Sequence, residues 1–221
     1  MRALLTIFAI VSFSACAQKS ENGEIKKVIY TDNFPGLIEL GSNYGESKFD
    51  YKLDAKDGST IQFRTCSDIE NTTENSVKED QFPLFTMLNI NCDALKHYFT
   101  ADHSQKTFFP QKLASEIIQQ LPASATPNLG GNQPPAPNKK ISEAFPNAEA
   151  TTISPTVVRT NLNGLDIDYT LLARGDLDSD GTEDWIVRLD WSNPSAFGNG
   201  YELLLIGANK GRIQLLKNGT N

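Results

Sequence analysis

The residues of this chain best suited to chemistry are four aspartates in one short stretch: Asp176, Asp178, Asp180 and Asp184. Counted from Asp176, they occupy positions one, three, five and nine. Carboxylates this close repel one another unless a cation neutralises them, and alternate residues of a tightly turning loop direct their oxygens toward one point. Calcium binds six to eight oxygens at about 2.3–2.6 Å, so the spacing predicts a calcium-binding loop.

Two further loop positions support this prediction. Gly181, at position six, permits a sharp turn with positive φ, and Thr182, at position seven, is expected to contribute its backbone carbonyl. Position twelve is Val187, where an EF-hand has a bidentate Glu, so the loop is not an EF-hand. A polar Asp/Gly turn without metal is the alternative. Magnesium fits less well because it requires a smaller octahedral cage.

The segments on either side of the loop have the two-residue periodicity of β-strands. Before the loop, alternate residues 167–173 are apolar, and after it the large apolar side chains of residues 185–191 alternate with other residues. The sequence therefore predicts a β-hairpin whose turn is the metal loop.

This arrangement resembles the calcium loop of FG-GAP-type β-propeller repeats over residues 171–189. The resemblance implies that the ligands are the side chains of Asp176, Asp178, Asp180 and Asp184 and the carbonyl of Thr182. A propeller needs at least four blades, and this chain has one copy of the motif. The implied structure is therefore a calcium-clipped hairpin and not a propeller.

The N-terminus has the features of an export signal. Arg2 precedes an apolar stretch over residues 3–13, which is too short for a membrane-spanning helix. Phe13-Ser14-Ala15-Cys16 resembles a bacterial lipobox, which implies a lipoprotein signal peptide over 1–15, lipidation (palmitate) of Cys16 and a tether over 16–24. Ala17 follows the cysteine where inner-membrane retention would require Asp, which favours the outer membrane. The alternative is a plain secretory signal.

Export also determines the interpretation of the remaining cysteines. Cys66 and Cys92 form an even pair, and in an oxidising compartment the prediction is a disulfide between them. Two buried free thiols are the alternative. The histidines, His97 and His103, are predicted to be surface residues, because two histidines with no free cysteine do not complete a zinc site.

The whole pattern predicts an α+β, β-rich fold with small antiparallel sheets and two or three helices. An α+β domain spans 25–121 and contains a hairpin around Asp57-Gly58, a helix that begins at Pro83 and a second helix over 110–121. A Pro/Gly-rich linker spans 122–140, and a β-meander that carries the calcium loop spans 141–221. Residues 106–109 are predicted as a short strand and residues 67–81 as a surface loop.

Composition narrows the function. The net charge of −7 argues against nucleic-acid binding. The sequence contains no Gly-x-Ser-x-Gly elbow, no Walker loop, no dinucleotide fingerprint and no His-Glu-x-x-His motif. We therefore expect a calcium-binding, outer-membrane-anchored lipoprotein with a binding or structural role, facing the periplasm or the cell surface, with the membrane and an envelope protein as partners. An inhibitor or immunity-type lipoprotein against an envelope-directed enzyme is the alternative, and a hydrolase that uses the Asp loop is a third reading.

Overall fold

The computed structural model describes residues 23–127, 139–195, 198–209 and 211–218. The predicted signal peptide and Cys16 lie outside these residues. Within them the α+β, β-rich prediction is confirmed: two antiparallel sheets are accompanied by four α-helices, one of them long, rather than the two or three expected. Among the described residues, no helix is both long and apolar enough to cross a membrane.

The strands follow the alternating patterns in the sequence. In chain order they are β1 (Val28–Ile29), β2 (Leu37–Glu39), β3 (Lys48–Asp54), β4 (Thr60–Thr65), β5 (Ala150–Ser154), β6 (Val157–Leu162), β7 (Leu165–Gly175), β8 (Asp184–Asn193), β9 (Gly198–Asn209) and β10 (Arg212–Asn218). The helices are α1 (Cys66–Glu70), α2 (Phe82–Thr100), α3 (Ser115–Gln120) and α4 (Ile141–Ala144).

The larger sheet is an antiparallel meander in the order β10-β9-β8-β7-β6-β5, which confirms the predicted meander in the second half of the chain. β1 also joins this sheet, because Val28 and Ile29 pair with Arg174 and Ala173 at the end of β7 that extends beyond β6. The smaller sheet has the order β2-β3-β4, and Gly58 turns the predicted β3–β4 hairpin with a φ of 84°.

The larger sheet buries an apolar layer on each face. One face packs against α2 and the smaller sheet, through residues such as Leu172, Ile186 and Leu203. The opposite face packs against α3, α4 and the chain between residues 109 and 125, around the fully buried Trp185. Each layer combines residues from before 122 and from after 140. The division of the chain at 122–140 stays a prediction, since 128–138 lie outside the described residues.

Three local expectations from the sequence need correction. Residues 66–70 form helix α1 and not a loop, because Thr65 and Asp68 make a capping box at its N-terminus. The helix predicted over 110–121 is confined to Ser115–Gln120, because the N–H of Leu113 donates to the carbonyl of Pro155 instead of a helical partner. The strand predicted over 106–109 is reduced to a single bridge between Lys106 and Thr182.

Candidate metal centre

The aspartate-rich loop forms the turn between β7 and β8, two neighbouring strands at the centre of the meander. Gly175 and Asp184 are the last cross-strand pair before the turn. Two residues within the turn have left-handed backbone conformations, Ser179 with a φ of 61° and Gly181 with a φ of 78°. Gly181 adopts this conformation without the steric cost that a side chain would add, as the sequence predicted.

Three of the four predicted carboxylates converge. Asp176, Asp178 and Asp184 each bring one carboxylate oxygen within 4.8 Å of the others. Asp176 is 4% exposed and Asp184 is 2% exposed, whereas Asp178 lies at the surface. Burying ionised carboxylates side by side is costly unless a cation neutralises them. The cluster could therefore hold a metal ion, with an opening to solvent on the Asp178 side.

The carboxylate of Asp180 does not belong to this group. Its Oδ1 accepts a hydrogen bond of 2.6 Å from the N–H of Thr182. The Asp176 carboxylate organises the same turn, since it accepts from the N–H groups of Asp180 (3.1 Å) and Gly181 (2.7 Å). These bonds fold the loop around the side chain at position one.

The carbonyl of Thr182 is the predicted backbone ligand, and the hydrogen bonds of the neighbouring residues indicate its direction. The Gly181 carbonyl accepts from the N–H of Lys106 at 3.2 Å, and the Lys106 carbonyl accepts from the N–H of Glu183 at 2.9 Å. In an extended chain the N–H and C=O of one residue point to the same side, opposite to those of its neighbours. Because the Thr182 N–H is directed to Asp180, we expect its carbonyl to face the loop interior. The prediction itself stays untested.

The electrostatic effect of the cluster is seen in the pKa of Asp184. The pKa of Asp184 is raised from 3.8 to about 7, chiefly by burial; the carboxylates of Asp178, Asp176 and Asp180 contribute to the rise, and the hydrogen bond from the N–H of Leu177 opposes it. Repulsion and desolvation thus both favour the protonated form. A cation at the cluster would favour the ionised form instead.

Residues 102–106 hold the loop in place, a contact that the sequence did not predict. After α2 ends at Thr100, residues 102–106 run along the turn. Asp102 and Asp176 exchange backbone hydrogen bonds of 2.9 and 3.0 Å, and the N–H of Gln105 donates to the Gly181 carbonyl at 2.9 Å. Nothing in the local sequence of 102–106 predicts this contact, since the partners are more than 70 positions apart in the chain.

The fifth acidic residue of the stretch, Glu183, has a different role from the aspartates. It is 1% exposed, and both of its carboxylate oxygens accept from Nη2 of Arg174 at 2.8 Å. Thr107 Oγ1 donates to the same carboxylate at 3.0 Å, and Arg174 Nη1 donates to the Gln111 carbonyl at 3.0 Å. Glu183 is therefore a structural anchor that ties the loop to the core beneath it.

The remaining predicted residues lie apart from this centre. The Cys66–Cys92 disulfide is confirmed, with Cα atoms 5.5 Å apart, and it joins the start of α1 to α2. His97 lies near Asp93 on α2, and His103 Nδ1 accepts from the N–H of Lys27 in an exposed position. Among the described residues, neither histidine belongs to a group of three or more potential metal ligands.

Comparison of the chain with known protein families, with curated proteins and with solved structures yields no match. The loop and its surroundings must therefore be interpreted from their own geometry.

Proposed function

We propose that this chain is a calcium-binding lipoprotein of the bacterial outer membrane, with a binding or structural role in the envelope. The observation that carries the metal assignment is the convergence of Asp176, Asp178 and Asp184 at the end of two central strands. Carboxylate oxygens are ligands for hard cations, and a loop of this length offers the flexible, oxygen-rich coordination that calcium prefers over magnesium.

In this proposal calcium acts as a structural clip. The ion neutralises three carboxylates that otherwise oppose the turn, and so favours the register in which Gly175 faces Asp184. The Thr182 carbonyl is the proposed fourth ligand. Asp180 is a weaker candidate than the sequence suggested, since its carboxylate does not belong to the converging group. Because the hairpin belongs to the central sheet, the benefit extends to the packing on both faces.

The test is a comparison of thermal unfolding in calcium and in chelator. Calcium sites of extracellular modules bind with dissociation constants of about 10⁻⁴–10⁻³ M. A 100-fold excess of calcium over that constant stabilises the native state by about 2.7 kcal/mol. At about 2–4 °C per kcal/mol for a chain of this size, Tm should rise by roughly 5–11 °C.

Substitutions make the test specific to the loop. Asp178→Asn should remove most of the calcium-dependent rise in Tm. Asp180→Asn should remove less of it, because the Asp180 carboxylate lies outside the converging group. Asp57→Asn is the matched control, because Asp57 also lies in an exposed hairpin turn and accepts a backbone N–H, at 2.9 Å from Ser59. Identical melting curves in calcium and in chelator would refute the metal assignment.

The membrane anchor and the biochemical activity need separate experiments. Mass spectrometry of the mature N-terminal peptide should find an acylated Cys16, and Cys16→Ser should release the protein from membranes; an unmodified N-terminus would contradict the anchor. Capture of a defined envelope enzyme, with loss of that enzyme's activity, would favour the inhibitor alternative. Hydrolysis of an envelope polymer that stops with chelator would favour the hydrolase.

A further inference from the structure

A second polar surface lies on the larger sheet, away from the metal loop. One face of the larger sheet packs against α2, and beyond the part that the helix covers, the residues on this face are polar. On β8 the order on this face is Ile186, Arg188 and Asp190, and on β9 Leu203 is followed by Tyr201. The uncovered part of this face lines a cavity of about 400 Å³, which we call the sheet-face cavity.

The strand register places the lining residues in a row. Arg159 pairs with Asp168, Asp168 with Asp190, and Asp190 with Tyr201, so that β6, β7, β8 and β9 contribute one residue each. A second row, two residues further along each strand, includes Asp166 and Asn199 at the cavity wall. The cavity therefore combines carboxylates, a guanidinium, an amide and an aromatic ring on neighbouring strands.

Each of the two central carboxylates is paired with an arginine. Directly opposed like charges on adjacent strands are unfavourable, yet Asp168 and Asp190 face each other across β7 and β8. Asp168 accepts two hydrogen bonds of 2.7 Å from Arg159, and Asp190 accepts bonds of 2.6 and 2.9 Å from Arg188. Fixed polar groups bind a ligand at a lower entropic cost than mobile ones.

Arg188 connects this arrangement to the interior. It is 5% exposed, and its Nη1 donates to Asn91 Oδ1 on α2 at 2.8 Å and to the Asn33 carbonyl at 3.1 Å. Its guanidinium lies 5.9 Å from the centre of the Tyr201 ring. The orientation of Asp190 is thus set by an arginine that is itself anchored in the interior.

We propose that the sheet-face cavity binds a saccharide, and that an uncharged or amine-bearing sugar is preferred to an acidic one. Carboxylate oxygens have unused lone pairs after a bidentate ion pair and can accept from sugar hydroxyls. Arg159 and Asn199 can donate to sugar oxygens, while the Tyr201 ring offers an apolar surface to the C–H groups of a sugar ring. The volume falls within the range of about 300–1,000 Å³ typical of small-ligand sites.

The charge of the lining decides between sugar classes. Asp166, Asp168 and Asp190 contribute three negative charges. Arg159 pairs with Asp168 and Arg188 pairs with Asp190, so the net charge of this group is that of Asp166. An acidic sugar would face net repulsion, whereas the ammonium group of an amino sugar would be attracted.

The experiment is isothermal titration of the full chain with three tetramers, built from glucosamine, N-acetylglucosamine or galacturonic acid. We expect binding of at least one of the first two, and at least tenfold weaker binding of the acidic tetramer. Asp166→Asn and Asp168→Asn should each weaken saccharide binding about tenfold, since both residues are near the surface and their loss should leave the fold intact. Tyr201→Leu should also weaken it, and Asp57→Asn should not.

Two outcomes would overturn the proposal. One is the absence of binding by all three tetramers at millimolar concentration. The other is binding of spermidine with the same affinity and the same dependence on Asp166 as the glucosamine tetramer, together with no effect of Tyr201→Leu, because a surface that attracts any amine is not a saccharide site. The saccharide contacts use none of the residues of the carboxylate cluster, so failure of the metal proposal would not affect this result.

Discussion

The buried ion pair between Arg174 and Glu183 offers a sharp test of how the loop is attached to the core. The perturbation is Glu183→Gln, which keeps the shape of the side chain and removes its charge. The side chains are 10% and 1% exposed, so Arg174 would keep a charge that water reaches poorly. Burial alone would lower the pKa of Arg174, and the contact with Glu183 is what raises it.

The expected decrease in the free energy of unfolding follows from this burial. Removing one partner of a buried pair costs about 3–5 kcal/mol, because the other charge is left uncompensated. The loss of the Thr107 hydroxyl's charged acceptor adds to the effect. The assay is urea unfolding followed by circular dichroism at a fixed, saturating calcium concentration, so that differences in metal occupancy do not enter the free energy of unfolding.

The chain provides a matched control on the same strand. Arg159 and Asp168 form a bidentate pair with distances of 2.7 Å, but their side chains are 57% and 25% exposed. Asp168→Asn should therefore cost only about 0–1 kcal/mol, the range for surface pairs. If Glu183→Gln and Asp168→Asn lower the free energy of unfolding equally, burial does not set the strength of these pairs and our reasoning is wrong.

Glu183→Gln should also preserve most of the calcium-dependent rise in Tm, because Glu183 is occupied by Arg174 and lies outside the carboxylate cluster. A complete loss of the calcium response would show that Glu183 contributes to the metal site, directly or through the position of Thr182 and Asp184.

Three further predictions concern the disulfide, the pH dependence of the metal centre and the linker. Replacement of both disulfide cysteines by alanine should lower the free energy of unfolding by about 3.5 kcal/mol, the chain-entropy value for a separation of 26 residues, and an unchanged urea midpoint would contradict it. Because the pKa of Asp184 is raised to about 7, its proton stabilises the chelated native state below its ordinary pKa near 3.8, and this contribution is lost as pH rises toward 7. The gap in Tm between calcium and chelator should accordingly widen from pH 5 to pH 7.5, and Asp184→Asn should flatten it. Limited proteolysis should cut first within 122–140, and because both sides share apolar layers, the two resistant fragments should co-elute in native buffer and separate only in denaturant.

The sequence was informative where the signal is local. Alternation of apolar residues predicted the meander, the Asp57-Gly58 pair predicted its hairpin, and the even cysteine count predicted the Cys66–Cys92 bridge. In each case the residues that decide the structure are neighbours in sequence or are limited to one possible pairing.

The contacts that the sequence did not predict depend on how the turn folds and on partners elsewhere in the chain. The spacing of the acidic stretch left Glu183 out of the predicted ligands, but it did not show that Glu183 pairs with Arg174. Nor did it show that Asp180 accepts a hydrogen bond within the turn or that residues 102–106 support it. Periodicity assigns a residue to a face, but the partner on the opposite element depends on tertiary packing that one segment does not encode.

The attachment of β1 has a consequence for the order of folding. Asn33 Nδ2 donates to the Leu171 carbonyl across 138 residues, and β1 pairs with the end of β7 beside it. A segment made early in synthesis can dock only after the central strands exist, whereas the disulfide closes a span of 26 residues. Contacts between residues far apart in the sequence form slowly, because the entropy of closing the loop is lost before the contact stabilises the chain. The covalent bridge should therefore form before β1 completes the sheet, and until then the end of β7 beside the metal loop remains an open edge.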